Sequence, residues 1–227
     1  GVAAELERRV DELEAMLGQG ASSSVYRGRH ARTGDLAAIK LLRRRHTHDP
    51  RYLDQFEREL ELIKSLDHPN VVRGYEGGWG AGFRYYVMEY VEGETVMDIV
   101  RRRGPLPERA ALHVGGRIAS AVAYFAGRGI VHCDIKPNNV LISTEGIVKL
   151  SDWGAAHLEG FEVGGSGELV LATPAYMAPE MVVRGSLLTP AADLYSLGAT
   201  LYFALGGRAP FEGPTTREVV ARILHEE

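Results

Sequence analysis

Val131-His132-Cys133-Asp134-Ile135-Lys136-Pro137-Asn138-Asn139-Val140-Leu141-Ile142, followed shortly by Ser151-Asp152-Trp153-Gly154, is the stretch on which the reading of this chain turns. Two carboxylates, a lysine and an asparagine stand among short apolar runs. The runs can act as two arms of a small hairpin, holding Asp134 in one loop and Asp152 in the next while Asn139 faces both. A hard cation takes one or two carboxylate or amide oxygens and fills its shell from substrate phosphates; Asp152 and Asn139 supply that set. Asp134 is then left to orient or deprotonate an attacking hydroxyl, and Lys136 to neutralise charge on a transferring group. The same residues also fit an ordinary polar turn between strands, since Asp and Asn are turn formers.

The 227 residues are 45% apolar and carry a formal net charge of −4. That is material for one large domain or two small lobes with a real core. The charge gives no electrostatic case for nucleic acid, and the runs Arg43–Arg45 and Arg101–Arg103 are short enough to be solvated loop or helix-end charges. Cys133 is the only cysteine, so no intrachain disulfide can form and a reducing compartment, the cytoplasm, is expected. No uninterrupted apolar run approaches the roughly 20 residues that span a bilayer, so no membrane partner is expected within this chain. The acidic, Arg-rich amino terminus is not a signal peptide. A module of a longer membrane protein would share these properties.

Working outward, Leu6, Val10, Leu13 and Leu17 recur at helical steps up to Gly18. Gly18-Gln19-Gly20-Ala21-Ser22-Ser23-Ser24-Val25-Tyr26 is a glycine- and serine-rich turn entering an alternating stretch, a hairpin whose backbone amides can lie over phosphates or bind nothing. Leu36–Leu42 is an apolar run with one charge, Lys40, which either snorkels outward or points into a polar site. Residues 51–66 read as a helix with Phe56, Leu60 and Ile63 on one face. Glu59 lies beside that face, placed to pair with Lys40 or to be an ordinary solvated glutamate. Phe83–Val91 alternates as a strand, and Gly93 marks the break after it. Helices are expected over 108–127, where Gly115-Gly116 weakens the middle or permits close packing, over 189–205 with Asp193 in its first turn, and over 214–226. Gly160–Gly167 reads as a structureless loop.

Taken together these segments resemble a protein kinase catalytic domain from about residue 10 to the end, several spaced motifs agreeing in order. Gly18-x-Gly20-x-x-Ser23-x-Val25 is similar to the glycine-rich loop over ATP phosphates, and Ala37-Ala38-Ile39-Lys40 to the strand bearing the phosphate-binding lysine. Glu59 stands where that lysine's partner belongs. Val87-Met88-Glu89-Tyr90-Val91 resembles the hinge, implying adenine contacts to the backbone of Glu89 and Val91. Leu17, Val25, Ala38 and Leu141 match residues that sandwich the base. His132-Cys133-Asp134-x-Lys136-x-x-Asn139 resembles the catalytic loop, Asp152-Trp153-Gly154 the metal-binding motif, Ala178-Pro179-Glu180 the end of the activation segment, and Asp193 the aspartate that braces the loop. Lys136-Pro137 and Ala172-Thr173-Pro174 are similar to the serine/threonine subclass, and Tyr90–Gly93 and Asp193–Gly198 to its bacterial members.

The resemblance implies an α+β, two-lobed fold: a small antiparallel β lobe with one key helix (1–91) and a larger helical lobe (92–227), with ATP and Mg2+ between them. It implies transfer of the γ-phosphoryl group to a Ser or Thr hydroxyl of a protein substrate. Asp134 and Lys136 would be catalytic, Asp152 and Asn139 would hold the metal, and Lys40 the phosphates. The chain departs from the family at Ser23, at Trp153 for the usual Phe, at Cys133 for the usual Arg, and in stopping at Glu227, where the family continues through further helices, one of which carries the arginine that pairs with Glu180. Trp153 and the short end fit the rival reading, a pseudokinase acting as a nucleotide-binding regulatory module. A dinucleotide-binding oxidoreductase fails, because Gly18-x-Gly20 opens a strand and no βαβ unit follows. A thiol at 133 cannot receive the phosphate of a phosphorylated loop, and Ser166 and Thr173 are the only Ser or Thr residues between Asp152 and Glu180. Activity is therefore expected to be constitutive or controlled from elsewhere, for instance by a partner on the helix bearing Glu59, unless another base such as Arg184 takes the arginine's place. For residues 10–17 the sheet's need for a first strand outweighs the helical spacing; residues 2–9 can remain helical.

Overall fold

Antiparallel backbone pairing builds the first sheet. The computed structural model describes residues 12–20, 22–29, 34–80, 83–163 and 173–226. Five antiparallel strands, β1 (Glu12–Gln19), β2 (Ser23–Arg29), β3 (Leu36–Leu42), β4 (Gly74–Gly80) and β5 (Phe83–Glu89), lie in the order β1-β2-β3-β5-β4. Successive side chains alternate between faces. Ala37, Ile39, Tyr85 and Val87 gather with Leu41 in an apolar cluster on one face. Register sends Gly18, Val25, Lys40, Tyr86 and Gly77 into a single cross-strand row on the other.

That second face carries helix α1 (Pro50–Ser65), started by Pro50 and by the Asp49 carboxylate, which accepts the Arg51 N–H. Phe56, Glu59, Leu60 and Ile63 are its buried stripe. The helix approaches the sheet closely at Gly77, where a Cβ would stand 2.5 Å from Leu60 Cδ2 and 2.9 Å from the Tyr85 carbonyl oxygen. β4 carried no strand signal, because Gly-Tyr-Glu-Gly-Gly-Trp-Gly offers no alternation; its hydrogen bonds to β5 make it a strand. Residues 12–19 form a strand against the helical spacing of Leu13 and Leu17, because pairing with β2 satisfies their backbone. The helix expected over 2–9 lies outside the described residues.

The chain divides into two compact units, residues 1–91 and 92–227. The second contains β6 (Gly93–Thr95), α2 (Val96–Arg103), α3 (Glu108–Ala126), β7 (Ile130–Val131), β8 (Val140–Ser143), β9 (Val148–Leu150), β10 (His157–Leu158), α4 (Pro190–Gly206) and α5 (Thr216–His225). Gly93, expected only as a break, opens β6. A side chain there would place Cβ 2.0 Å from the Ile142 carbonyl oxygen of the paired strand β8. Helix α2 was not foreseen; Thr95 caps it, accepting from the Asp98 N–H, and Arg101–Arg103 are its last turn. Helices α3 and α4 pack together with Gly115 against Leu201, so the glycine serves close packing.

The two apolar runs of the catalytic stretch do not pair with each other as sketched from sequence. Val131 in β7 pairs with His157 in β10, whereas Val140–Ile142 in β8 pairs with β9. The hairpin is therefore β8–β9, with Asp134 in the loop before it and Asp152 in the loop after. The segment expected to be structureless is ordered at its start: Gly160, Phe161 and Val163 exchange backbone hydrogen bonds with residues 185–188. Among the described residues no helix is long and apolar enough to cross a membrane.

Candidate active site

Within the first unit, Lys40 and Glu59 meet. Lys40 is 7% exposed, and its Nζ lies 2.6 Å from Glu59 Oε1. The lysine thus points into a polar site rather than snorkelling, and Glu59 is not a solvated surface residue. Val25 and Ala38 share the sheet face of Lys40 through the β2–β3 register. Leu17 falls at a register shift between Met16 and Gly18 and is exposed. Gly20 closes the hairpin, its N–H donating to the Ser23 carbonyl at 2.9 Å, and Gly18 pairs with Val25. Glu89 ends β5, tied to Arg73 by its own N–H and by its carboxylate; Val91 follows in the connecting loop.

Within the second unit, Asp134 is the focus. Its Oδ2 accepts from Lys136 Nζ at 2.8 Å and from Asn139 Nδ2 at 2.8 Å, and Asn139 Nδ2 also donates to the Asp134 carbonyl. Asp134 is therefore held through one of its two carboxylate oxygens. Burial raises its pKa above the ordinary carboxylate range; Asp152 pushes the same way, while Lys136 and Asn139 oppose. A more basic carboxylate is a better proton acceptor.

The loop is anchored from beneath. Asp193, 1% exposed in the first turn of α4, accepts the His132 N–H at 2.8 Å and the Cys133 N–H at 2.9 Å. Those bonds hold Cys133 at φ 63°, left-handed for a non-glycine residue. Burial pushes Asp193 up to about 6 and holds the His132 imidazole down at about 4. Cys133 is buried with Val131, Val163, Met177, Ala178, Met181, Leu188 and Ala192. That burial, aided by Asp193 and Asp134, keeps its thiol protonated far above its ordinary range.

The Asp152 side stands on the hairpin. Ser151 donates from both N–H and Oγ to the Asn139 carbonyl, at 2.9 and 3.1 Å, coupling the loops before and after β8–β9. Asp152 also has a left-handed backbone, φ 66°, and its Oδ1 accepts weakly from the Gly154 N–H at 3.4 Å. Trp153 is 1% exposed, edge-on to Phe125 at 4.7 Å and to His132 at 4.5 Å, so the second unit houses the larger ring. Both Asn139 bonds use the amide nitrogen, so its oxygen is the atom it can offer a cation. An amide oxygen and a carboxylate are hard donors suited to a divalent ion. Among the described residues no cluster of three or more His, Cys, Asp or Glu could hold a metal alone, so such an ion would fill its shell with phosphate oxygens.

Leu141 lies in β8 opposite Lys149. Ser166 falls outside the described residues. Tyr86 was missed: its hydroxyl donates to Glu59 Oε1 at 2.8 Å, and nothing in the sequence announces this before the β3–β5 register is known.

Residues 12–227 match the family model described as protein kinase domain. The serine/threonine-protein kinase PrkC of Bacillus subtilis (strain 168) is 36% identical over 216 residues, 95% of this chain and 33% of that protein. Serine/threonine-protein kinase PknB of Mycobacterium leprae is 35% identical over 221 residues, 95% of this chain and 35% of that protein. PknL of Mycobacterium tuberculosis (strain H37Rv), also a serine/threonine-protein kinase, is 33% identical over 212 residues, 93% of this chain and 53% of that protein. The chain thus spans a third to about half of the length of these relatives.

Proposed function

The chain belongs to the protein kinase family, on its serine/threonine side, and from that premise we propose that it transfers the γ-phosphoryl group of ATP to a serine or threonine hydroxyl of a protein substrate through Asp134. The supporting observation is the Asp134 carboxylate itself: Lys136 and Asn139 both bind Oδ2, and burial makes the group more basic. Oδ1 is then the oxygen offered to an acceptor hydroxyl.

In the step, the hydroxyl oxygen forms a bond to the γ-phosphorus as the bond from that phosphorus to the β,γ-bridging oxygen breaks, and ADP leaves. The hydroxyl proton passes to Asp134, and Lys136 neutralises charge gathering on the transferred group. Lys40, paired with Glu59, holds the α- and β-phosphates. Gly18, Gly20, Leu17, Val25, Ala38, Leu141 and the backbone of Glu89 and Val91 are assigned to the rest of the nucleotide. Asp152 and the Asn139 oxygen would hold Mg2+, which when bound offsets phosphate charge. Residues 1–91 act as the nucleotide-binding lobe and 92–227 as the catalytic lobe, working in the cytoplasm. The rival reading, a nucleotide-binding module without turnover, is weakened by the complete set Lys40, Asp134, Asn139 and Asp152 and by the room found for Trp153.

Labelled ATP and Mg2+ with a serine/threonine peptide test this. Asp134→Asn should lower transfer by about a hundredfold or more. Lys40→Ala should lose most transfer while its circular dichroism stays that of the folded chain. Incorporation equal to wild type in Asp134→Asn would remove the catalytic assignment; normal turnover in Lys40→Ala would remove the phosphate-binding one.

A further inference from the structure

We propose that Tyr86 is a positioning residue for phosphoryl transfer: its buried hydroxyl fixes the Glu59 carboxylate, so that the chain itself holds Lys40 in its phosphate-binding orientation. The inference rests on the reading of Lys40 given above.

Tyr86 stands directly opposite Lys40 in the β3–β5 register, and neighbours so paired share a face. It is 1% exposed. Its O–H donates to the same Glu59 oxygen that Lys40 Nζ approaches, at 2.8 and 2.6 Å. A lone lysine–glutamate pair joins two long side chains that can turn about their terminal bonds while keeping one contact. A second donor, projected from a sheet strand, removes that freedom, and a hydrogen bond to an ionised oxygen is among the stronger ones. The ammonium also lies 5.7 Å from the Tyr86 ring centroid, within cation–π range.

Tyr86 itself is held. The Phe56 ring of α1 lies 5.1 Å from it at 45°. Farther along the helix, Leu60 sits over Gly77, the β4 partner of Tyr86, and Ile63 over Gly74. Two residues before Tyr86 on β5, Arg84 pairs with Glu57 of α1 and lies 6.0 Å from the Trp79 ring. Strand β5 therefore ties α1 down through two polar contacts, and the glycines of β4 admit its apolar face. The Lys40–Glu59 pair is a product of this packing within residues 1–91.

Tyr86→Phe removes the hydroxyl and keeps the ring against Phe56. In the full chain it should lower kcat about tenfold, with the ATP KM changed less than about twofold, because Lys40 is misplaced in the reacting complex. In a Glu59→Gln background the same substitution should change kcat less than about twofold. Separately, acylation of Lys40 by a succinimidyl ester, read by peptide mass spectrometry on the folded chain, should be at least about threefold faster in Tyr86→Phe than in wild type, because local opening exposes the amine. A single variant within twofold of wild-type kcat, or an undiminished loss in the Glu59→Gln background, would overturn the assignment. If wild type transfers no phosphate, acylation decides alone: a faster rate keeps the positioning role and places the failure in the proposed activity, and an unchanged rate removes the role.

Discussion

Cys133 occupies the position where the family motif carries an arginine, and its surroundings are apolar. Its side chain is 4% exposed among Val163, Met177, Met181 and Leu188, with no room for a guanidinium and no phosphate-binding role left to it. Val163 belongs to the segment after Asp152, so apolar packing on Cys133, with the backbone bonds from residues 160–163 to 185–188, orders the start of that segment without charge. Cys133→Arg is expected to lower the unfolding free energy by about 3 kcal/mol or more in urea titration, because overpacking a filled core and burying an unpaired charge add. Equal or higher stability would show that the cluster is not what anchors the segment. Phosphatase treatment should leave the peptide phosphorylation rate within about threefold of untreated protein; a tenfold loss, about 1.4 kcal/mol of barrier, would restore a phosphorylation switch.

Among elements, β6 and β8 show how one residue type fixes a pairing. Gly93 faces the Ile142 carbonyl so closely that a methyl group cannot be admitted without moving backbone, and Thr95, two residues on, both pairs with Leu141 and caps α2. Gly93→Ala should therefore cost about 3 kcal/mol of stability, the upper end for a steric insertion, and it should speed amide exchange in Glu94–Val100. Exchange unchanged in that stretch, with stability kept, would mean the strand pair adapts. β1 makes the complementary point. Its apolar residues recur at helical steps, yet the strand forms, because an edge of β2 offers backbone partners along nearly its whole length.

At the scale of the whole chain, two buried groups beside Asp134 set opposing responses to pH. His132 titrates at about 4 when folded against 6.5 when exposed, so its contribution to stability is present above 6.5 and lost as pH falls towards 4. Asp193 titrates at about 6 against 3.8, so its contribution is present below 3.8 and lost as pH rises through 6. The two partly cancel between about 4 and 6.5. Asp193→Asn removes the stability that Asp193 adds on acidification, so the variant's deficit relative to wild type should grow from pH 7 to pH 4.5, by about 2 kcal/mol. Urea titrations at several pH values read this directly. A deficit that stays constant or shrinks would mean that Asp193 is not the raised group.

The sequence alone determined the family and the order of its motifs along the chain. Asp134, Lys136, Asn139 and Asp152 stand out as candidates because the proposed phosphoryl transfer would use those functional groups at short, fixed separations, and short separations survive in one dimension. The α1 stripe of Phe56, Leu60 and Ile63 was equally legible, since helical periodicity is a local property. Tertiary structure decided whatever depends on which strand lies beside which: that β7 pairs with β10 and not β8, that glycine-rich β4 is a strand at all, that Lys40 turns inward to Glu59, and that Tyr86 reaches the same oxygen. Each is a matter of register between segments far apart in sequence, and register is fixed by the sum of backbone pairing and burial across the sheet, which no local pattern encodes.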